Sequence, residues 1–230
     1  MKKKLLLFDI DGTLILTGGI APKLMVESVY KIMGLPVRWT IEDFVGNTDR
    51  NIVMTLLNRC GISEALMTEK TEMVMDEYLQ TLSEELKKDG VVTVLPGVKN
   101  LLEELAGDHR FSLGLLTGNV REGARIKLAV DNLISYFPVG AFGDDALNRE
   151  DLPPVAIRRA EKYFGHFFDR QDVWIIGDSI NDIKCARANG LKSLAVASGH
   201  TRDLELRNYK PTALFMDLND SDKIIKLFYS

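Results

Sequence analysis

Four aspartates sit where a chain can do chemistry with them. Asp9 and Asp11 lie two positions apart in "LLLFDIDGTLI" (residues 5–15), at the end of an apolar run, and Asp178 and Asp182 lie four apart in "IIGDSINDIK" (residues 175–184). Burying a lone carboxylate costs several kcal/mol unless it is paired, hydrogen-bonded or bound to a cation. If the two segments are neighbours in space, three or four carboxylates converge, and like charges that close need a positive partner. Oxygen donors with no histidine or thiolate nearby favour a hard cation, and Mg²⁺ keeping several waters fits best. The competing reading is local: Asp and Gly suit the turn after a strand, and Asp182 favours the first turn of a helix through the dipole.

The elements that would position these acids can be read from hydrophobic patterning. Short apolar runs without alternation predict strands of a parallel sheet buried on both faces, over 4–10, 111–117, 139–142, 173–177, 193–197 and 213–216. Helical patterns lie between them, over 98–105 after Pro96–Gly97, 122–134 after "TGN", 154–164 from a proline start, and 181–188 up to Asn189–Gly190. Such alternation predicts an open α/β sheet with right-handed crossovers. Ligands of such sheets bind at the carboxyl ends of the strands, where the strand order reverses. Asp9, Asp11 and Asp178 fall at predicted strand ends of that kind.

Residues 17–92 break the alternation. They show no strand pattern, only helical ones over 23–33, 49–60 and 69–88, and are bounded by Thr17–Gly18–Gly19 and by Val94–Leu95–Pro96–Gly97. The expectation is an α/β core built from residues 1–16 and 93–230, with an all-helical domain, 17–92, inserted after the first strand. A single domain with long crossover helices is the alternative.

Bulk properties exclude several classes. The chain has 230 residues, 46% hydrophobic and 27% charged, enough for one large domain or one domain with a smaller partner. A net charge of −4 gives no reason to expect nucleic acid or an anionic membrane surface as partner. Two cysteines, Cys60 and Cys185, make neither a disulfide framework nor a zinc site. The opening "MKKKLLLFD" imitates an export signal, but Asp9 ends its apolar run short of the roughly 7–15 residues required. No stretch approaches the ~20 apolar residues of a membrane span, so a soluble cytoplasmic protein is expected.

The same residues carry a resemblance. "DIDGTL" is similar to the first motif, DxDGTL, of the haloacid dehalogenase-like (HAD) hydrolase superfamily, "LLTGN" to its second, and "IIGDSINDIKCARANG" to its fourth, GDxxxD. The insertion at 17–92 resembles the type 1 helical cap, and the branch is that of phosphoglycolate phosphatases and β-phosphoglucomutases. The resemblance implies a Rossmann-like core and a Mg²⁺-dependent phosphomonoester hydrolase acting on a small phosphorylated metabolite. By it, Asp9 is the nucleophile that forms an aspartyl-phosphate. Mg²⁺ is held by Asp9, the backbone carbonyl of Asp11 and Asp178. Asp11 is the acid that protonates the leaving alkoxide and then the base that activates water. Dehalogenases of the superfamily lack that second aspartate, so Asp11 argues phosphate. Thr117, with the Gly118 and Asn119 amides, would hold the phosphoryl group. Asp182 would stand behind the ligands, orienting a metal-bound water or a basic residue; Ser179 and Asn181 would shape the metal loop.

The third motif, normally a lysine, is absent: no lysine occurs between Lys127 and Lys162. Arg149, ahead of Pro153–Pro154, is the substitute expected to face Asp9 and phosphate, although a guanidinium makes different contacts; a solvated Arg149 paired with Asp145 or Glu150 is the alternative. Arg158 and Arg159 read as surface residues. In the cap, Thr48, Asp49 and Arg50 either face the leaving group or cap a helix. His109, His166 and His200 lack partners at metal-ligand spacing. A β-phosphoglucomutase-like phosphotransferase would share all four acids. A non-catalytic phospho-ligand binding domain would be marked by loss of Asp9 or Asp11, and both are present.

Overall fold

The computed structural model describes residues 3–229. Met1, Lys2 and Ser230, which open the basic N-terminal stretch and close the expected core domain, lie outside them. In chain order the elements begin with β1 (Lys4–Phe8), β2 (Ile15–Leu16), α1 (Ile20–Met33), α2 (Asp49–Arg59), α3 (Glu64–Glu85) and β3 (Thr93–Val94). There follow α4 (Val98–Ala106), β4 (Phe111–Leu116), α5 (Arg121–Lys127), β5 (Val139–Ala141), α6 (Leu152–Phe164) and β6 (Val173–Gly177). The chain ends with α7 (Ile180–Ala188), β7 (Lys192–Val196), α8 (Asp203–Asn208), β8 (Ala213–Phe215) and α9 (Ser221–Tyr229).

Six strands form one parallel, Rossmann-like sheet in the order β5-β4-β1-β6-β7-β8. The expected α/β class and all six expected strands are present, with ends shifted by at most two residues. Along β1, Leu6 and Phe8 enter one apolar cluster with Val98, Leu101, Trp174 and Ile176, whereas Leu5 and Leu7 enter another with Leu152, Ala156 and Ile175. The two-residue period thus delivers alternate side chains to helices on opposite faces, which is why the strand reads as continuously apolar. Each fully buried leucine contributes about 2 kcal/mol to that packing.

Between β2 and β3 the described elements are helical. Helices α1–α3 pack on one another around Met25, Val53, Leu56, Val74 and Leu82, and Val120 from the sheet side joins them. α1 and α3 start before the expected positions, at Ile20 and Glu64, whereas α2 starts at Asp49 as expected.

Three features depart from the expectation. Ile15 pairs with Val94 and Leu16 with Thr93 in an antiparallel ribbon that joins the two crossings, too short to register as alternation. The helix expected over 122–134 stops at Lys127; a 3₁₀ stretch follows in which Asp131 and Asn132 take left-handed φ of 48° and 53°. Asp and Asn tolerate that conformation where most residues do not, and the break turns Leu133 into the core. Finally, α9 packs Phe228 against Trp174, ring centroids 5.1 Å apart, where the sequence reading assigned no element. Among the described residues, no helix is long and apolar enough to cross a membrane.

Candidate active site

The sheet order decides which acids meet. Because β1 lies between β4 and β6, Asp9 beyond β1 neighbours Asp178 beyond β6 and Thr117 beyond β4. The Asp9 N–H donates to the carbonyl of Ile176 at 2.9 Å, fixing the strand end. Asp182 sits in the first turn of α7 and folds back through a capping box: Ser179 Oγ accepts from its N–H, and its carboxylate accepts from the Ser179 N–H at 3.0 Å and hydroxyl at 2.6 Å. A Cβ on Gly177 would overlap that carboxylate, and one on Gly12 (φ 79°) would overlap the carboxylate of Asp178.

Asp9, Asp178 and Asp182 are all buried, and each offers an oxygen within 4.8 Å of the other two. Burial first, then the charges of Asp182 and Asp11 against the opposing Arg149, pushes the Asp9 carboxyl up to about 6. Burial and the charges of Asp182 and Asp9 hold Asp178 well above the usual carboxylate range.

Arg149 is the cation the structure brings to this cluster. It lies in a single 3₁₀ turn ahead of α6, is buried, and places Nη2 2.9 Å from Asp9 Oδ2 and 2.5 Å from Asp182 Oδ1. Burial works against its charge, but Asp182 and Asp9 hold it above its ordinary value. The alternative pairing with Asp145 does not form, since Asp145 is bound by Arg159. With all three acids ionised, the one guanidinium would leave two negative charges unmatched. The donors facing that excess are oxygens alone, a set suited to a hard divalent ion.

Asp11 is turned elsewhere. Its carboxylate accepts from Lys127 Nζ at 2.7 Å and from Asn119 Nδ2 at 2.8 Å, and Lys127 also donates to Asn119 Oδ1 at 2.6 Å. Its side chain is not among the three converging carboxylates, so the resemblance's metal contact for it rests on the backbone carbonyl alone. Lys127 is buried and held above its ordinary value, burial opposing and Asp11 favouring its charge. The sequence reading passed over it. The available signal was its place on α5, one turn from Ala124 and beside Leu128, on the face that turns inward. Thr117 is buried with its hydroxyl accepting from Asn119 Nδ2 at 2.9 Å, so Thr117, Asn119, Asp11 and Lys127 form one network.

The helical segment closes over this edge. Thr48 caps α2, accepting from the Asn51 N–H, and its hydroxyl donates to the Leu147 carbonyl at 2.7 Å. The Asp49 N–H donates to the Gly118 carbonyl at 2.8 Å, and its carboxylate accepts from the Val120 N–H at 2.9 Å. A Cβ on Gly118 would overlap the Asn47 carbonyl, so the close approach requires glycine there. Arg50 is bound by Glu72 instead, with Asp144 at 3.8 Å. The cavity between the helical segment and this edge has a volume of about 250 Å³ and is bordered by Asp9, Asp11, Asp49, Lys127, Arg149 and Asp178 among others. His200 lies on its border as well, whereas His109 and His166 do not.

Burial raises the Asp49 carboxyl to about 6, against the pull of Lys127. A folded value above the unfolded one gives a contribution fully present below the unfolded value and lost as pH rises through about 6. Asp49→Asn abolishes that loss. The variant therefore gains about 1 kcal/mol on the wild type between roughly pH 5 and pH 7, read from urea midpoints. A difference flat across that range would place Asp49 in water.

Residues 6–196 match the sequence model of the haloacid dehalogenase-like hydrolases. The chain belongs to the haloacid dehalogenase-like hydrolase family. It is 25% identical over 221 residues to a phosphoglycolate phosphatase of Nitrosococcus oceani, covering 94% of this chain and 93% of that one. It is 29% identical over 209 residues to a phosphoglycolate phosphatase of Vibrio parahaemolyticus, covering 86% and 85%. Among solved structures, a hydrolase from Pseudomonas syringae superimposes with a TM-score of 0.71 at 21% identity, over 97% of this chain and 98% of that one, a likeness of fold. Within this haloacid dehalogenase-like hydrolase, Asp9, Thr117 and Asp178 stand at the carboxyl edge of three adjacent strands, and Arg149 reaches Asp9 from the turn ahead of α6.

Proposed function

We propose that this hydrolase is a Mg²⁺-dependent phosphatase of a small phosphorylated metabolite, working through Asp9. The observation that carries the reading is the buried trio of Asp9, Asp178 and Asp182 matched by a single guanidinium. The phosphatase names of its relatives point the same way. Asp9, Asp178 and the backbone carbonyl of Asp11 would hold the ion, with Asp182 fixing Arg149 behind them. Bound there, Mg²⁺ supplies positive charge that screens the nucleophile from the phosphoryl oxygens.

An Asp9 oxygen attacks phosphorus as the bond to the leaving alkoxide breaks, giving an aspartyl-phosphate. Asp11, as its acid, gives the alkoxide a proton; as carboxylate it then takes one from the water that attacks the phospho-enzyme and frees Asp9. Lys127 and Asn119 hold that carboxyl in place at 2.7 and 2.8 Å. Thr117 and the amides of Gly118 and Asn119 receive the phosphoryl oxygens. Residues 1–16 and 93–230 serve as the catalytic core and 17–92 as a cap that excludes water during turnover.

The test is inorganic phosphate released from a panel of phosphometabolites, with and without Mg²⁺. Release that depends on the ion supports the reading. A full rate in excess EDTA overturns the metal requirement, and interconversion of hexose phosphates with little phosphate freed would indicate a phosphotransferase. Mg²⁺ alone, at about a hundred times its Kd, should add roughly 2.7 kcal/mol of stability, a Tm rise of about 5–10 °C by calorimetry. No rise would remove the trio as an ion site.

A further inference from the structure

We infer that the alcohol released in this cavity is uncharged and largely hydrocarbon, and is not a carboxylate-bearing alcohol such as glycolate. The inference rests on the phosphatase reading above and narrows its substrate class.

The wall that faces the strand ends decides it. Pro22 and Met25 from α1, Ile41 and Phe44 from the segment before α2, Ile52 from α2 and Tyr78 from α3 border the cavity. None of them carries charge at neutral pH. Among the described residues, no lysine or arginine of 17–92 borders it; Arg50 is bound by Glu72 and Arg59 by Asp43. The two permanent cations that do border it are already engaged, Lys127 by Asp11 and Asn119, Arg149 by Asp9 and Asp182. Asp49 adds a further acid on the helical side. His200 is exposed and follows Gly199, where a Cβ would overlap the Asp178 carboxylate; it therefore belongs to the sheet side of the cavity.

A second carboxylate on the substrate would be stripped of water against apolar side chains, beside Asp49, with no free cation to receive it. Hydrocarbon in the same place is favoured at every buried methylene, by a few-fold each. Tyr78, only 1% exposed, completes that wall.

The probes are n-butyl phosphate, 3-hydroxybutyl phosphate and 2-phosphoglycolate, assayed with Mg²⁺ for kcat/KM. Both butyl esters should exceed phosphoglycolate by at least about tenfold. Phosphoglycolate matching or exceeding the butyl esters overturns the inference, and its loss in His200→Ala would reassign the carboxylate to His200. Calorimetric Kd values for the three probes on Asp9→Asn with Mg²⁺ separate this from the phosphatase reading. If the wild type frees no phosphate from any probe while the variant binds butyl esters over phosphoglycolate, hydrolysis is wrong and the pocket assignment stands. If none of the three binds, or phosphoglycolate binds best, the pocket assignment falls.

Discussion

Asp9→Asn should lower phosphate release by about 10⁴-fold or more, because it removes the oxygen nucleophile while keeping its shape. An amide in the same place cannot attack phosphorus, and no other free carboxylate occupies the end of β1. The same change should raise stability when no divalent ion is present. Burial and its anionic neighbours lift the Asp9 carboxyl to about 6, so an ionised Asp9 at neutral pH opposes folding. The sign follows: the contribution is complete below the unfolded value and lost as pH rises through about 6. A protein that is inactive and has a higher Tm without Mg²⁺ is thus the expected pair of results. Turnover within about tenfold of the wild type would place the nucleophile elsewhere.

Arg149→Met carries the second large effect. The side chain is similar in length, but Asp9 and Asp182 lose the cation that pairs with them among the described residues, beside a third buried acid, Asp178. Removing one partner of a buried ion pair costs about 3–5 kcal/mol, most of it from the acids left behind. Mg²⁺ should restore part of that loss, since it supplies charge to the same oxygens. Phosphate release should fall by about 10²–10³-fold, as expected when a cation aimed at developing charge is lost. Urea unfolding with and without Mg²⁺, beside the rate assay, reads both. Near-normal values in both measurements would make Arg149 a bystander. Arg149 meets both Asp9 and Asp182 through Nη2 alone, so Arg149→Lys keeps the positive charge on a shorter side chain with a different shape and should fall between.

The strands were legible because their burial on both faces writes itself into the sequence as unbroken apolar runs, and the acids because they interrupt those runs. Arg149 was found by its place before Pro153–Pro154, not by its residue type; the 2.9 Å contact with Asp9 is set by a turn that sequence spacing does not describe. Lys127 was missed for the opposite reason. Its partner Asp11 lies 116 positions away, and in "REGARIK" the residue types do not separate the three basic residues; only the helix face does. The break after Lys127 was equally hidden, since the apolar period runs on through Leu128 and Leu133 while Asp131 and Asn132 redirect the backbone. The ribbon of β2 and β3 has two residues on each side, below the length at which alternation carries information.

That ribbon also bears on how such a chain diversifies. Ile15 opposite Val94 and Leu16 opposite Thr93 bring the two ends of a 76-residue excursion to within about 5 Å of each other. A segment that leaves and returns at one point can be lengthened, shortened or exchanged without shifting any strand of the parallel sheet. Inheritance can therefore replace what surrounds a substrate while the aspartates that act on it stay in register.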